Sequence, residues 1–204
     1  LVALRREMEW ENIDIYIVPT DDYHQSEYVG EFFKCRQFIS GFTGSAGIAA
    51  VTLDKAGLWT DGRYFIQAEH ELSGSGITLY RSGEPGVDTL YEFLEKELPE
   101  GGVIGFDGRT AGVNTGKRFA MAAIKKNGTV SYRKDLIGKI WADRPGLPEE
   151  KVWLLEEKYS GESCTSKLER VRQKMKESSA DVHLLSSLDD IAWLLNIRGG
   201  DIAY

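Results

Sequence analysis

The sequence predicts a layered α/β domain with a mixed sheet, followed by the start of a second, similar domain. Segments rich in β-branched and aromatic residues alternate with amphipathic segments of helical period through the first 143 residues. The short interval between the strand segments at Ile48 and Gly57 indicates a hairpin. A hairpin within an otherwise alternating order predicts a sheet with both parallel and antiparallel pairs.

The elements of the first domain follow from local pattern. A helix is predicted over residues 2–12, and an apolar strand over residues 13–18 ends at Pro19 and two aspartates. Helix 87–98 has leucines and valine at three- to four-residue spacing, which is typical of one stripe facing a sheet. The remaining segments are strands at 48–53, 57–60, 77–81, 103–106 and 129–133, and helices at 63–72 and 115–126.

The sequence changes character near Asp143. We expect domain I over residues 1–143, a linker rich in proline and acidic residues over 144–163, and the start of domain II over 164–204. Ser166 and Glu169 have the spacing of a capping box, which predicts a helix start there. A strand at 181–185 and a helix from Leu188 follow.

This order repeats the amino terminus, where a helix also precedes a strand with a similar sequence. IDIYIVPT at 13–20 corresponds to ADVHLLSS at 180–187. A single long period of this kind indicates a duplicated domain rather than a solenoid. The second copy lacks the later strands of the first, so we expect the chain to derive from a longer protein.

Composition excludes several classes of function. The chain has 25 Lys and Arg against 32 Asp and Glu, a formal net charge of −7, which argues against nucleic-acid binding. No apolar stretch approaches the ~20 residues that a membrane span needs, and no signal peptide is visible. Cys35 and Cys164 are too few for a disulfide framework and are typical of reduced thiols in a cytoplasmic protein.

Known catalytic motifs are incomplete in this sequence. His70 and Glu71 begin a zinc-protease motif, but Gly74 stands where the second histidine belongs. Gly112–Lys117 resembles a phosphate loop that is one residue short. No carboxylates are spaced around the histidines as a two-metal site would require, so we expect neither a metal site nor catalytic residues in this chain.

Two residues are candidates for ligand contact. Arg63 follows Asp61-Gly62 at a predicted helix start, where a cation is disfavoured unless an anion faces it. That anion is either Asp61, in a surface salt bridge, or an external carboxylate bound by the planar guanidinium. His24, in the polar loop DDYHQSEY, is the weaker candidate, and His183 is expected in the core or an interface within its strand.

Five segments together resemble the amino-terminal part of cytoplasmic Xaa-Pro aminopeptidases (aminopeptidase P) of the creatinase/prolidase superfamily: DDYHQSEYV, FISGFTGSAG, LWTDGRYFIQA, KIWADRP and LDDIAWLLNIRGGDI. The resemblance covers nearly the whole chain. It implies two amino-terminal domains of ribonuclease-H-like (creatinase N-terminal) fold before a "pita-bread" catalytic domain. The chain would then end early in the second domain.

The resemblance also implies a function for the intact protein. Such enzymes release the N-terminal residue from peptides with proline in second position. They use two metal ions, typically manganese, whose aspartate, histidine and glutamate ligands lie in the catalytic domain, outside this chain. The arginine of WTDGR, here Arg63, is a substrate contact in the family. The amino-terminal domains are expected to gate substrate and to assemble a cytoplasmic homodimer.

Two alternatives remain open. One is a non-catalytic binding protein that keeps the peptidase-like fold without its metals, as some histone-chaperone subunits do. The other is a creatinase- or prolidase-type hydrolase of a different small substrate. Metal-ligating carboxylates and a histidine in the downstream sequence would favour an enzyme, and their absence would favour the binding protein.

Overall fold

The computed structural model describes residues 1–26 and 28–201 of the chain and divides into two units, Leu1–Gly146 and Leu147–Tyr204. The first unit holds a six-stranded sheet with the strand order β4-β3-β2-β1-β5-β6. The strands are β1 Ile15–Pro19, β2 Ile48–Thr52, β3 Ala56–Thr60, β4 Thr78–Arg81, β5 Val103–Phe106 and β6 Thr129–Ser131.

The sheet is mixed, as the sequence predicts. β2 runs antiparallel to both of its neighbours, β1 and β3, whereas β1–β5, β5–β6 and β3–β4 are parallel pairs. The expected hairpin joins β2 to β3, and the Thr52 amide closes it by donating to the Lys55 carbonyl at 2.9 Å. The order β3-β2-β1-β5-β6 with β2 reversed is the ribonuclease-H-like topology, and β4 extends it by one edge strand.

Among the described residues of the first unit, six α-helices pack on the two faces of this sheet. Alternation along β1 directs Tyr16 and Val18 into one core and Ile15 and Ile17 into the other. The first core includes residues of α1 and α6, and the second includes residues of α4 and α5. The helices are α1 Val2–Glu11, α2 Cys35–Ser40, α3 Phe65–Glu71, α4 Leu90–Glu97, α5 Val113–Ile124 and α6 Leu136–Ile140.

Two helices begin later in the structure than periodicity alone predicts. α4 begins at Leu90 because Thr89 accepts from the Glu92 amide while the Glu92 side chain accepts from the Thr89 amide at 2.8 Å. α3 begins at Phe65 rather than at Arg63, so Arg63 lies in the turn that precedes the helix.

The second unit contains three helices and a two-stranded antiparallel ribbon among its described residues. These elements are β7 Trp153–Leu154, α7 Glu157–Ser160, α8 Cys164–Glu177, α9 Leu188–Leu195 and β8 Ile197–Arg198. β7 and α7 fall inside the range 144–163 that the sequence presents as a linker. α8 is capped by Ser163, whose hydroxyl accepts from the Ser166 amide at 3.2 Å, so the predicted start at Ser166 is one turn late.

The predicted strand at 181–185 is wrong in this structure. A strand needs a partner for its backbone groups, and no described segment of the second unit pairs with these residues. Val182 and Leu184 are 83% and 86% exposed. His183 is likewise exposed and not in a core, because no sheet forms around it.

A buried lysine joins α8 to the end of α9. Lys167 is 2% exposed, and its ammonium donates to the Trp193 carbonyl at 2.8 Å and to Asn196 Oδ1 at 2.6 Å. Asn196 ends α9 with a left-handed φ of 52° and donates from its amide side chain to the Glu162 carbonyl at 2.8 Å. The hydrogen bonds from the Lys167 ammonium replace those that it would make with water, which offsets the cost of burying its charge.

In the described ranges, every helix is too short or too polar to cross a bilayer.

Tyr16 links the centre of the first sheet to the segment that precedes α6. It is 1% exposed; its hydroxyl donates to the Lys134 carbonyl at 2.9 Å and accepts from the Leu136 amide at 3.0 Å.

Tyr16→Phe leaves both backbone groups unpaired. We therefore expect urea unfolding to show that the free energy of unfolding falls by about 1–3 kcal/mol. Tyr132→Phe, at a half-exposed position, is the control and should shift stability by less than about 0.5 kcal/mol. Equal effects of the two variants would contradict this role.

Candidate functional site

Three polar segments follow strands β1, β3 and β5 at one edge of the first sheet. These strands run in the same direction, so their carboxyl ends meet at that edge, where ligands bind in open α/β sheets. The segments are Asp21-Asp22 with the loop that follows, Asp61-Gly62-Arg63, and Asp107-Gly108-Arg109.

Arg63 is held by the aspartate two residues before it. Asp61 Oδ1 accepts from the Arg63 amide at 3.1 Å and from Nε at 2.9 Å, while Oδ2 accepts from Nη2 at 2.8 Å. The hydrogen bonds from Arg63 lower the pKa of the Asp61 carboxyl to about 2. The Arg63 side chain is still 65% exposed. Asp61 therefore supplies the anion that the sequence required, while the guanidinium remains accessible to solvent.

Tyr64 gives Arg63 a second contact. The guanidinium carbon lies 5.2 Å from the centroid of the Tyr64 ring, within the range of a cation–π contact. Arg63 is thus oriented by the Asp61 carboxylate, two residues before it, and by the ring of Tyr64, the residue that follows it.

The Asp-Gly-Arg turn occurs a second time, which the sequence analysis missed. Asp107 accepts from the Arg109 amide at 3.0 Å, from Nε at 3.0 Å and from Nη2 at 2.8 Å, which reproduces the geometry at Asp61. Arg109 also bonds Asp135 at 3.2 Å and lies 5.2 Å from the Tyr23 ring centroid. The tripeptide DGR after two different strands is the pattern that would have revealed it.

His24 is positioned by Asp22. Asp22 is 5% exposed and accepts from the amides of His24 at 2.8 Å and Ser26 at 2.9 Å. Burial raises the pKa of Asp22, but the hydrogen bonds from Ser26 and His24 outweigh it, and the pKa lies below its usual value. The His24 ring is half exposed, with Nδ1 3.8 Å from Asp22 Oδ2. In the described ranges no hydrogen bond or ion pair joins His24 to Arg63.

Asp21 faces a small cavity behind the same loop. The cavity measures about 20 Å³, and its lining includes the carboxylates of Asp21, Asp107 and Asp135. Burial, together with the charge of Asp22, raises the pKa of Asp21 to about 6. No group of three or more His, Cys, Asp or Glu residues in the described part of the chain is arranged to hold a metal ion.

Comparison with known families identifies the domain. The sequence profile of the creatinase/prolidase N-terminal domain matches residues 1–132, and a second profile of the same description matches residues 143–204. The chain belongs to the creatinase/prolidase N-terminal family.

Named relatives of this creatinase/prolidase N-terminal chain are aminopeptidases. A probable Xaa-Pro aminopeptidase P of Coprinopsis cinerea is 44% identical over 207 residues, which span 100% of this chain and 33% of the relative. Aminopeptidase P2 of Arabidopsis thaliana is 43% identical over 94% of this chain and 27% of its own length. The chain therefore spans about a third or less of these curated relatives.

A solved structure shares the fold. The X-prolyl aminopeptidase of Caenorhabditis elegans, described as a cytosolic enzyme with a di-nuclear active site, superimposes with a TM-score of 0.83 at 36% identity. The match covers 93% of this chain and 31% of the nematode enzyme.

Asp21 should make stability depend on pH. Its pKa of about 6 exceeds the value of about 3.9 expected in the unfolded chain, so the folded state binds more protons between these values. The cost of the buried carboxylate is thus absent below about pH 4 and complete above about pH 6. Because Asp21 is partly exposed, we expect Asp21→Asn to stabilise the chain at pH 7 by only about 1 kcal/mol, measured by urea unfolding.

The gain from Asp21→Asn should disappear as the pH falls from 6 to 4. Asp22→Asn is the matched control, because the pKa of Asp22 is shifted the opposite way. It should destabilise the chain at pH 7 and have less effect in acid. A gain from Asp21→Asn that is the same at pH 4 and pH 7 would contradict the burial of this charge.

Proposed function

We propose that this chain is the substrate-gating and assembly region of a longer, metal-dependent Xaa-Pro aminopeptidase. The intact protein would release the N-terminal residue from peptides with proline in second position. The observation that carries the proposal is the 40–44% identity to named Xaa-Pro aminopeptidases over the whole chain, at about a third of their length.

The chemistry of bond cleavage is assigned to the remaining part of the intact protein. No described residues of this chain form a metal-ligand group, whereas the similar nematode enzyme has a di-nuclear site. Two metal ions bound in that part, typically manganese in this superfamily, would supply the activation of water and of the scissile carbonyl. In the proposed protein this chain contributes binding and orientation.

Arg63 is the residue of this chain that we assign to the peptide. A guanidinium is a planar fork of donors that suits carboxylate and carbonyl oxygens. Asp61, with its pKa of about 2, is ionised at neutral pH, so its ion pair with Arg63 is present there. Arg63 is therefore presented in one orientation while its side chain stays 65% exposed. His24, half exposed in its own loop, is the weaker peptide contact.

The assembly role is part of the same proposal. The intact protein is proposed to be a cytoplasmic homodimer in which the amino-terminal domains border the entrance to the catalytic site. The cytosolic description of the nematode enzyme supports the location.

Arg63→Ala in the full-length protein should raise KM for an Xaa-Pro peptide by about 10- to 100-fold, as loss of a charged hydrogen bond implies. Arg81→Ala is the matched control. Arg81 is partly exposed and pairs with Glu69 at 3.1 Å, and its guanidinium carbon lies 5.5 Å from the Phe65 ring centroid. Steady-state kinetics should show a raised KM for Arg63→Ala and not for Arg81→Ala, while the thermal stabilities of the two variants are equal. If they give the same kinetics, Arg63 is only a surface ion pair.

The chain of 204 residues should hydrolyse no Xaa-Pro peptide, even with added manganese, because the described residues form no metal-ligand group. The measurement is a fluorogenic Xaa-Pro peptide assay on purified chain, with the full-length protein as positive control. Turnover that depends on manganese concentration and co-purifies with the chain would contradict the assignment of bond cleavage to the rest of the intact protein. Lack of turnover by the full-length protein as well would favour the non-catalytic binding alternative.

A further inference from the structure

We propose that the loop 41–47, with sequence GFTGSAG, positions Arg63 through Tyr64, and that Ser45 and Gly44 are the positioning residues. The proposal rests on the proposed function of Arg63, and it assigns a role to a glycine-rich motif that the function itself leaves unused. It is carried by a series of contacts from the buried side of the loop to the exposed guanidinium.

The loop is first fixed from beneath by a buried cation. Arg36 is 4% exposed; it donates to the Phe42 carbonyl at 3.0 Å, to the Gly44 carbonyl and to the Thr20 hydroxyl. Its guanidinium carbon lies 4.7 Å from the Phe42 ring centroid. Since these donors belong to one planar group, the carbonyls of residues 42 and 44 are held in a fixed relation to each other.

Hydroxyls at two strand ends hold the far side of the loop. Thr60 at the end of β3 donates to the Ala46 carbonyl at 2.7 Å, and Thr20 after β1 donates to the Gly47 carbonyl at 2.7 Å. The loop is thus tied to the sheet edge from which the Asp61 turn also leaves.

Gly44 brings the loop backbone against Tyr64. A Cβ added at Gly44 would lie 2.8 Å from Tyr64 Cδ1 and would also overlap the Phe42 ring. The Phe42 and Tyr64 rings meet edge to face, with centroids 6.0 Å apart. The ring of Tyr64 is therefore confined by the loop along one edge.

Ser45 fixes the other end of the same ring. Ser45 Oγ and the Tyr64 hydroxyl are 2.7 Å apart, a hydrogen bond in which either can donate. The loop is also tied to the last residue of α3, because Thr43 donates to the Glu71 carboxylate from its amide at 2.9 Å and from its hydroxyl at 2.7 Å. Gln67 donates to the Thr43 hydroxyl at 2.8 Å. The loop is thus joined both to the Tyr64 hydroxyl and to α3, the helix that Tyr64 precedes.

The loop acts on Arg63 through the face of the Tyr64 ring, which the Arg63 guanidinium contacts. The backbone at Gly44 approaches one edge of the ring and Ser45 bonds its hydroxyl, so both limit the positions of the face that contacts the guanidinium. Asp61 fixes one edge of the guanidinium and Tyr64 supports its plane. An arginine ordered before the peptide arrives loses less freedom on binding.

The first test is made on the chain itself by NMR. Ser45→Ala and Tyr64→Phe each remove the hydrogen bond but keep the ring, and both should lower the order parameter of the Arg63 Nε–H vector. Ser45→Thr keeps a hydroxyl and should restore it. Tyr132→Phe, a half-exposed tyrosine elsewhere in the first unit, should have no effect. An unchanged Arg63 order parameter in both Ser45→Ala and Tyr64→Phe would overturn the proposal.

The second test is made on the full-length protein by steady-state kinetics. Ser45→Ala and Tyr64→Phe should each raise KM about three- to tenfold with kcat unchanged, as loss of one neutral hydrogen bond implies. The double variant should be no worse than either single variant, and neither change should add to Arg63→Ala.

The two tests separate this inference from the function on which it rests. If Ser45→Ala raises KM equally with and without Arg63, the loop does not act through Arg63 and the inference is overturned. If Arg63→Ala itself leaves KM unchanged while the NMR response to Ser45→Ala remains, the assignment of Arg63 to the peptide fails, but the loop's positioning of Arg63 stands.

Discussion

A buried arginine is the constraint on which the candidate site depends. Arg36 makes no ion pair with a described carboxylate, and its charge is balanced by two carbonyls, a hydroxyl and an aromatic face. Burial lowers its pKa to about 10, which still leaves it charged at neutral pH. A buried charge without such oxygens is costly, so the chain segment around Phe42 and Gly44 has to converge on Arg36. The glycine-rich loop is ordered by that requirement, although it belongs to no helix or strand.

The sheet topology explains why functional candidates share one edge. Because β2 is reversed between β1 and β3, the segments after β1, β3 and β5 all leave in the same direction. Two of them begin with the same Asp-Gly-Arg turn, yet the two arginines differ in surroundings. Arg109 also bonds Asp135 and contacts the Tyr23 ring, which is distant in sequence, and Arg63 contacts the ring of its sequence neighbour Tyr64.

Local sequence pattern is sufficient to predict the fold of the first unit, but it does not predict the contacts that shape the candidate site. The mixed sheet, the hairpin after Ile48 and the helix stripes follow from period and turn chemistry, which act over a few residues. The strand predicted at 181–185 has the right composition but lacks a neighbour, since pairing is a property of distant segments. Arg63 is identifiable from its charge, but the Ser45–Tyr64 hydrogen bond beside it joins residues 19 positions apart, and no periodicity encodes that contact.

The glycine at position 44 has an implication for how such domains diverge. Its φ is not left-handed, so backbone conformation does not demand glycine there; the space is taken by the aromatic rings at 42 and 64. Evolutionary drift at position 44 should therefore be correlated with drift at both ring positions. Lineages that replace both aromatic residues with small ones become free to acquire a side chain at 44, and an alignment should show the three columns covarying.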